Sequence, residues 1–362
     1  MVMRTAVLHI GMHKTGSTSI QNTLKSREWT EHHFVRTRGS NHSQLLRALF
    51  DARPITGRLV QKGHLKETIP DLIDSWRQQL DAEFRTLEKP TIVLSAEGLP
   101  ELSAPCIEAV RDYLMERVDR VSVVGYARAP VSLIQSDMLQ KIRSGNLKDF
   151  NVPRQHYRSQ FEKFDTVFGR ENVDLIKFDR SCLDQGDVVV DFARRIGLVL
   201  QPEDIIHRNL SLSLEAAAVL YARNKFGVDL PGSPVRKLVP NRIVKSLEAL
   251  GSTKFQLSSR ALQPALDEMS EDIDWLENRL GQSMRDVPSD HPDCLSSEKD
   301  LLAIADAQVD AVRSLFIAEL NNQPRARSAV AESLYQLQFL HVQRQAFADE
   351  RKKRRVARAV NP

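Results

Sequence analysis

Between Thr5 and Ile10 the chain runs TAVLHI, almost wholly apolar, and stops at Gly11. Three later stretches share that character: Thr91–Ser95 (TIVLS), Arg120–Tyr126 (RVSVVGY) and Asn172–Phe178 (NVDLIKF). Short apolar runs without the alternation of a half-solvated strand predict strands buried on both faces, as in a parallel sheet covered by helices. Between them the pattern switches to a helical period. Ile20 and Leu24 share one face of a helix beginning near Ser17. Ile69, Leu72, Ile73, Trp76, Leu80, Phe84 and Leu87 form a stripe that Pro90 ends, and Ile107, Val110, Leu114 and Val118 form another. A helix opens at Pro130, Tyr157, Phe161, Phe164 and Phe168 mark one more, and Asp187–Ile196 a further one. Strands alternating with helices predict an α/β fold. In such sheets ligands gather at the carboxyl ends of strands, which directs attention to the residues after Ile10, Ser95 and Tyr126.

Past about residue 205 the strand signal fades. Helices are predicted over Leu214–Phe226, Asn241–Leu250, Pro264–Leu280, Ser296–Leu320 and Arg325–Arg355. The stretch DVPSDHPD around Pro288 and Pro292 reads as a linker. The expected division is therefore an α/β domain over residues 1–285 and a helical C-terminal extension over 286–362. The extension has an apolar edge (Val330, Leu334, Leu337, Leu340) suited to packing on the core or on a second copy, as a homo-oligomer.

Charge changes this picture little. The formal excess of +4 is misleading, because Arg351, Lys352, Lys353, Arg354, Arg355 and Arg358 crowd the end of the chain and leave the rest slightly acidic. Such a tail suits an anionic surface or a solvated helix end, and the near-neutral body gives no reason to expect nucleic acid as a partner. The three cysteines are far apart and form no CxxC pair, which argues against a disulfide framework or a zinc knuckle. No apolar run approaches the roughly 20 residues of a membrane span. The first apolar stretch, broken by His9, is shorter than the roughly 7–15 residues of an export signal, so a cytoplasmic setting is expected.

The segment Gly11-Met12-His13-Lys14-Thr15-Gly16-Ser17-Thr18-Ser19 lies between a predicted strand and a predicted helix. Two glycines let the backbone turn its N–H groups towards one anion, and the following helix points its positive end there. Ser17, Thr18 and Ser19 add hydroxyls, and Lys14 adds a full charge. A nucleoside-triphosphate loop places its lysine directly after the second glycine. Here Ser17 holds that position and the lysine comes earlier. HKTGSTS resembles the 5′-phosphosulfate loop of sulfotransferases that use 3′-phosphoadenosine 5′-phosphosulfate (PAPS), whose pattern is close to PKTGTTW. His13 replaces the usual proline and Ser19 the common aromatic. By that resemblance Lys14, Thr15, Gly16, Ser17 and Thr18 hold the 5′-phosphosulfate. A three-layer P-loop-type fold with a central parallel sheet is implied as well.

PAPS also carries a 3′-phosphate. After the strand RVSVVGY the chain reads Ala127-Arg128-Ala129-Pro130, with Ser136 eight residues past the arginine. This resembles the second motif of the same family, and by that resemblance Arg128 and Ser136 hold the 3′-phosphate. A guanidinium suits the role because its planar fork grips phosphate bidentately. A later stretch, His207 to Glu215, is similar to an RxNxS segment of bacterial members, with His207 at the arginine's place and Arg208 one residue late; Ser213 reads as a helix cap. Ser270–Gly281 is similar to the closing helix of such enzymes, with Trp275 expected in the core.

The resemblance implies transfer of a sulfuryl group from PAPS to an acceptor hydroxyl, by in-line attack and without a metal. Lys14 would neutralise charge on the departing phosphate. Glu97, just past TIVLS, is the first choice for the general base, and a turn cap or an ion pair is its alternative role. His13 is the second choice. His32, His33, His42 and His64 fall in an irregular stretch that is expected to contribute to an acceptor pocket. An aromatic content of 6% disfavours a large apolar acceptor site and points to a carbohydrate or glycoconjugate hydroxyl. The rival readings are a P-loop kinase or nucleotide hydrolase, and a catalytically silent scaffold of the same fold.

Overall fold

The computed structural model of the chain describes residues 3–12, 14–51, 56–61, 64–86, 88–207, 212–227 and 241–321. His13, Arg208, Asn209 and Ser211, the basic tail and the helix expected over Arg325–Arg355 lie outside the described residues. Five strands form: β1 (Thr5–His9), β2 (His32–Phe34), β3 (Thr91–Ser95), β4 (Arg120–Ala127) and β5 (Val173–Lys177). They make one sheet in the order β2-β3-β1-β4-β5, with every pairing parallel. The expected α/β architecture with a central parallel sheet is therefore present. Four of the five strands match the apolar runs, because a strand covered on both faces has no solvent side to carry polar residues.

Helices follow the strands: α1 (Ser17–Lys25), α2 (Ser43–Phe50), α3 (Thr56–Gln61), α4 (Ile69–Thr86), α5 (Ala104–Met115), α6 (Pro130–Arg143), α7 (Tyr157–Phe168) and α8 (Val188–Arg195). Beyond them come α9 (Leu214–Phe226), α10 (Asn241–Leu247), α11 (Ser259–Glu268), α12 (Ser270–Leu280), α13 (Glu298–Ala307) and α14 (Val309–Asn321). Two expected long helices are each split in two. Met269 and Gln308 stand at the breaks with ψ near zero, in the sparsely populated bridge region. Ser213 caps α9 as expected, its side chain accepting from the Ala216 N–H.

The chain divides into two compact units: residues 1–134, 154–210 and 264–287 make the first, and 135–153, 211–263 and 288–362 the second. The first unit contains the whole sheet. On one face, Val7, Val93, Val124 and Ile176 pack beneath Ile20 and Leu24 of α1 and Val188, Val189 and Phe192 of α8. α5 and α7 cover the other face of β4 and β5. Trp275, expected in the core, is instead half-buried and lines a surface depression with Glu162, Asp165 and Arg279. In the second unit α9 packs on α13, and Glu298 of α13 accepts from Lys225 Nζ at 2.8 Å and from the Tyr221 hydroxyl.

Beneath α8 one carboxylate organises the sheet face. Asp191 is fully buried and accepts from the Tyr126 hydroxyl at 2.8 Å, Arg195 Nε at 2.7 Å and the Asp184 N–H at 3.1 Å. These bonds outweigh burial and hold its carboxyl below the usual range, while burial and Asp191 push the Tyr126 hydroxyl far up. Removing the carboxylate alone strands the buried Tyr126 phenol, while Arg195 keeps its ion pair with Asp174. Asp191→Ala is expected to cost about 1–3 kcal/mol of stability, read from denaturant midpoints; no measurable loss contradicts this role.

Candidate functional site

β1 ends at His9 between two neighbours. In register, His9 lies opposite Ser95 of β3 on one side and Val124 of β4 on the other. The strand then continues into the glycine loop, with Ile10 N–H bonded to the Val124 carbonyl and Met12 N–H to that of Tyr126. The three segments singled out in the sequence thus leave adjacent strand ends. That is where the crevice of an open parallel sheet lies.

The loop needs both glycines. Gly16 has φ 78°, and a Cβ there would lie 2.5 Å from Val188 Cγ1. A Cβ on Gly11 would lie 2.6 Å from Ser17 Oγ, 2.8 Å from Thr15 Oγ1 and 3.2 Å from His9 Nε2. Lys14 is exposed and also adopts a left-handed conformation, with φ 68°. Such a turn before a helix start is the backbone geometry of an anion-binding nest. The hydroxyls do not all face one way. Thr15 is buried and donates to the Met12 carbonyl at 2.7 Å, and Ser17 is buried too. Thr18 is exposed.

Arg128 follows β4, as expected. Its Nη1 donates to the Lys14 carbonyl at 2.9 Å and its Nε to Ser132 Oγ at 3.1 Å, with the guanidinium 5.7 Å from the Phe178 ring centre. No carboxylate lies within ion-pairing distance of it among the described residues. Burial makes its charge costlier and draws its pKa down, opposed by the nearby Asp286 and Tyr157. Ser136 lies in the second turn of α6, half-buried. The start of α6 carries a feature with no local signal in the sequence. Asp286 accepts from the N–H groups of Val131 and Ser132, both at 2.8 Å, so the protein's own carboxylate occupies that helix end.

Glu97 follows β3 and is half-buried. Gln21 Nε2 and Asn41 Nδ2 each approach its Oε1 at 3.4 Å, so two neutral amides flank the carboxylate. The histidines near it serve the frame rather than a pocket. His32, His33 and His42 are buried. His32 Nε2 meets the Ile196 carbonyl at 2.8 Å, and His33 Nε2 meets Glu83 at 2.8 Å. Glu83 also accepts from the N–H groups of Arg36 and Thr37. Burial raises its pKa, but these bonds together prevail and hold it at about 2. The Ser95 N–H donates to His42 Nδ1 at 2.9 Å, so Nε2 carries the proton and donates to the Val35 carbonyl at 2.8 Å. Of the four histidines expected to shape an acceptor pocket, three are therefore scaffold. Among the described residues no cluster of histidine, cysteine and carboxylate side chains could hold a metal, and no helix is long and apolar enough to cross a membrane.

No family model and no curated protein matches the chain. Among solved structures it is similar to a sulfotransferase from Alicyclobacillus acidocaldarius, at 17% identity and a TM-score of 0.38, covering 62% of this chain and 93% of that one. At that level the site residues stand or fall on their own geometry.

Two buried histidines make stability depend on pH. Burial lowers His9 and His42 to about 4, from 6.5. Both stay neutral in the fold, so their contribution is complete above about pH 6.5. It is lost as pH falls towards 4, because the unfolded chain takes up protons that the folded one excludes. His42→Asn is expected to flatten the unfolding free energy over that window by up to about 1.4 kcal/mol per pH unit, most steeply near pH 5. Denaturant titrations at pH 7, 6 and 5 read this, and a slope equal to that of the parent would exclude it.

Proposed function

We propose that the protein transfers a sulfuryl group from PAPS to an acceptor hydroxyl. The observation that carries this reading is the hydrogen bond from Arg128 Nη1 to the Lys14 carbonyl, 2.9 Å long. It brings the two anion-holding segments, over 100 residues apart in sequence, to one place at adjacent strand ends. A donor with separate 5′ and 3′ phosphate groups needs such a pair; a simple triphosphate does not. Ser17 at the position of a triphosphate loop's lysine supports the same choice.

On this reading the N–H groups from Lys14 to Thr18 and the Lys14 ammonium hold the 5′-phosphosulfate, and Arg128 holds the 3′-phosphate. Sulfuryl transfer resembles phosphoryl transfer, in which positioning and charge stabilisation supply most of the rate. Lys14 stabilises the negative charge that grows on the departing phosphate oxygen. Glu97 takes the acceptor's proton as the oxygen attacks sulfur and the S–O bond to phosphate breaks. Its flanking amides, Gln21 and Asn41, keep the carboxylate oriented without adding charge. That polar surround suits a carbohydrate or glycoconjugate acceptor. None of the three cysteines is in a disulfide, which suits the reducing cytoplasm.

Calorimetry with 3′,5′-ADP and, separately, with ATP and magnesium tests the donor. Binding of the first without the second is expected; the reverse would favour a kinase or hydrolase. With labelled PAPS and a panel of sugars and phenols, Lys14→Ala is expected to lower kcat by about 100-fold or more. Glu97→Gln should lower it by about 100-fold to 10,000-fold and spare 3′,5′-ADP binding. Undiminished turnover by Glu97→Gln refutes its assignment as the base.

A further inference from the structure

Beneath α1 a line of polar groups runs from Glu97 to the floor of the glycine loop. The buried Gln21 donates from Nε2 to Ser95 Oγ at 2.9 Å and approaches Glu97 Oε1 at 3.4 Å. Ser95 Oγ in turn lies 2.8 Å from Nδ1 of His9, its partner in strand register. Both side chains are fully buried. Ser95 has one hydroxyl proton, and His9 Nδ1 is its acceptor among the described residues. Nδ1 therefore accepts, which leaves the imidazole proton on Nε2.

That Nε2 is buried with no hydrogen-bond partner among the described residues, and so is Ser17 Oγ. Both border the space beside Gly11: a Cβ placed there would lie 3.2 Å from one and 2.6 Å from the other. Thr15 Oγ1 borders that spot too, but its proton is committed to the Met12 carbonyl. A buried N–H donor and a buried hydroxyl left apart are each unfavourable, and a hydrogen bond between them relieves both. A hydroxyl that accepts from Nε2–H must turn its own proton elsewhere. Ser17 opens α1 beside the nest, so its proton is free to turn towards an anion held there.

We propose that His9 is a positioning residue of the phosphate loop. Its Nε2–H fixes the Ser17 oxygen so that the Ser17 proton points at the bound anion, while Ser95 and Gln21 tie the same imidazole to the Glu97 carboxylate. The identity of the anion rests on the sulfuryl-transfer reading; the direction of the relay does not. Linked hydrogen bonds in a dry interior strengthen one another, so each end responds to the other. The relay needs a neutral ring, and burial between Phe192 and Tyr126 keeps it so, with the pKa down at about 4. Glu97 is the charged group that opposes this shift.

The test begins without a ligand. Nitrogen-15 spectra of the imidazoles at pH 7 should show His9 neutral with its proton on Nε2, and Ser17→Ala should move the Nε2 signal. Next, calorimetry with 3′,5′-ADP compares four variants. His9→Asn keeps an acceptor near the place of Nδ1 but no donor near that of Nε2. His9→Gln keeps the donor. Asn and Ser17→Ala should each weaken binding by about 10-fold, and the two together should weaken it no further. Gln should restore affinity to within about 3-fold of the parent, while the unfolding midpoints of the Asn and Gln variants should shift alike. A proton on Nδ1, a charged ring at pH 7, an unmoved Nε2 signal, additive losses, or equal losses for Asn and Gln would each overturn the relay. If the spectra agree but the parent binds no 3′,5′-ADP, the sulfuryl-donor reading fails and the relay stands.

Discussion

The carbonyl of Lys14 is held by a guanidinium that comes from the next strand, and much of the site depends on that bond. A left-handed conformation costs a non-glycine residue about 1–2 kcal/mol, so Lys14 keeps it only where the surroundings over-determine it. Arg128 supplies that constraint from one side, and Gly16, pressed against Val188, supplies it from the other. The result leaves the Lys14 side chain exposed. Arg128 is thus more than a separate charge near the loop. It is part of what gives the loop its shape, so the loop and the start of α6 are mechanically linked.

Parallel topology explains why these pieces meet. With β1 in the middle and β3 and β4 as immediate neighbours, the residues that leave the three strand ends are separated by one or two strand spacings of about 4.8 Å. Register decides which side chains touch. His9 opposite Ser95 puts both on the face covered by α1, and Gln21 reaches them from that helix. The same alternation puts Val7 and Val93 into the apolar core one step earlier along the strands. A polar line therefore begins where the apolar one stops, at the catalytic edge that the proposed reaction would use.

The sequence made β1, β3, β4 and β5 legible because strands buried on both faces must be apolar throughout. β2 escaped for the same reason reversed: its residues are His32, His33 and Phe34, and two histidines do not read as a buried strand. They are tolerated inside because Ile196 and Glu83 satisfy their ring nitrogens, and those partners lie 164 and 50 residues away. His9 was legible only as an interruption of an apolar run. Its role depends on Ser95, 86 residues on, and no local pattern carries that distance. The glycine loop and Arg128 were readable because their chemistry is local: a turn, a helix start, a cation beside it. Asp286 illustrates the opposite case, a carboxylate in a linker-like stretch that caps a helix more than 150 residues earlier.

On the proposed reading, that carboxylate sharpens what the Arg128 end of the site can do. An unoccupied helix start would hold any anion through its free N–H groups, with little regard for shape. Here Asp286 already takes the Val131 and Ser132 N–H groups and adds a negative charge of its own. What remains for an incoming phosphate at this end is the guanidinium, whose burial leaves its charge poorly solvated and so most improved by a counter-anion. A small anion reaching this end alone meets Asp286 as well as Arg128 and gains little. A ligand anchored at the loop and carrying a second phosphate at the right reach gains from both ends at once, as linked binding contacts do. On the proposed reading, selection of a bis-phosphorylated donor over a linear triphosphate is therefore made at Arg128, and the capped helix is what makes that selection strict.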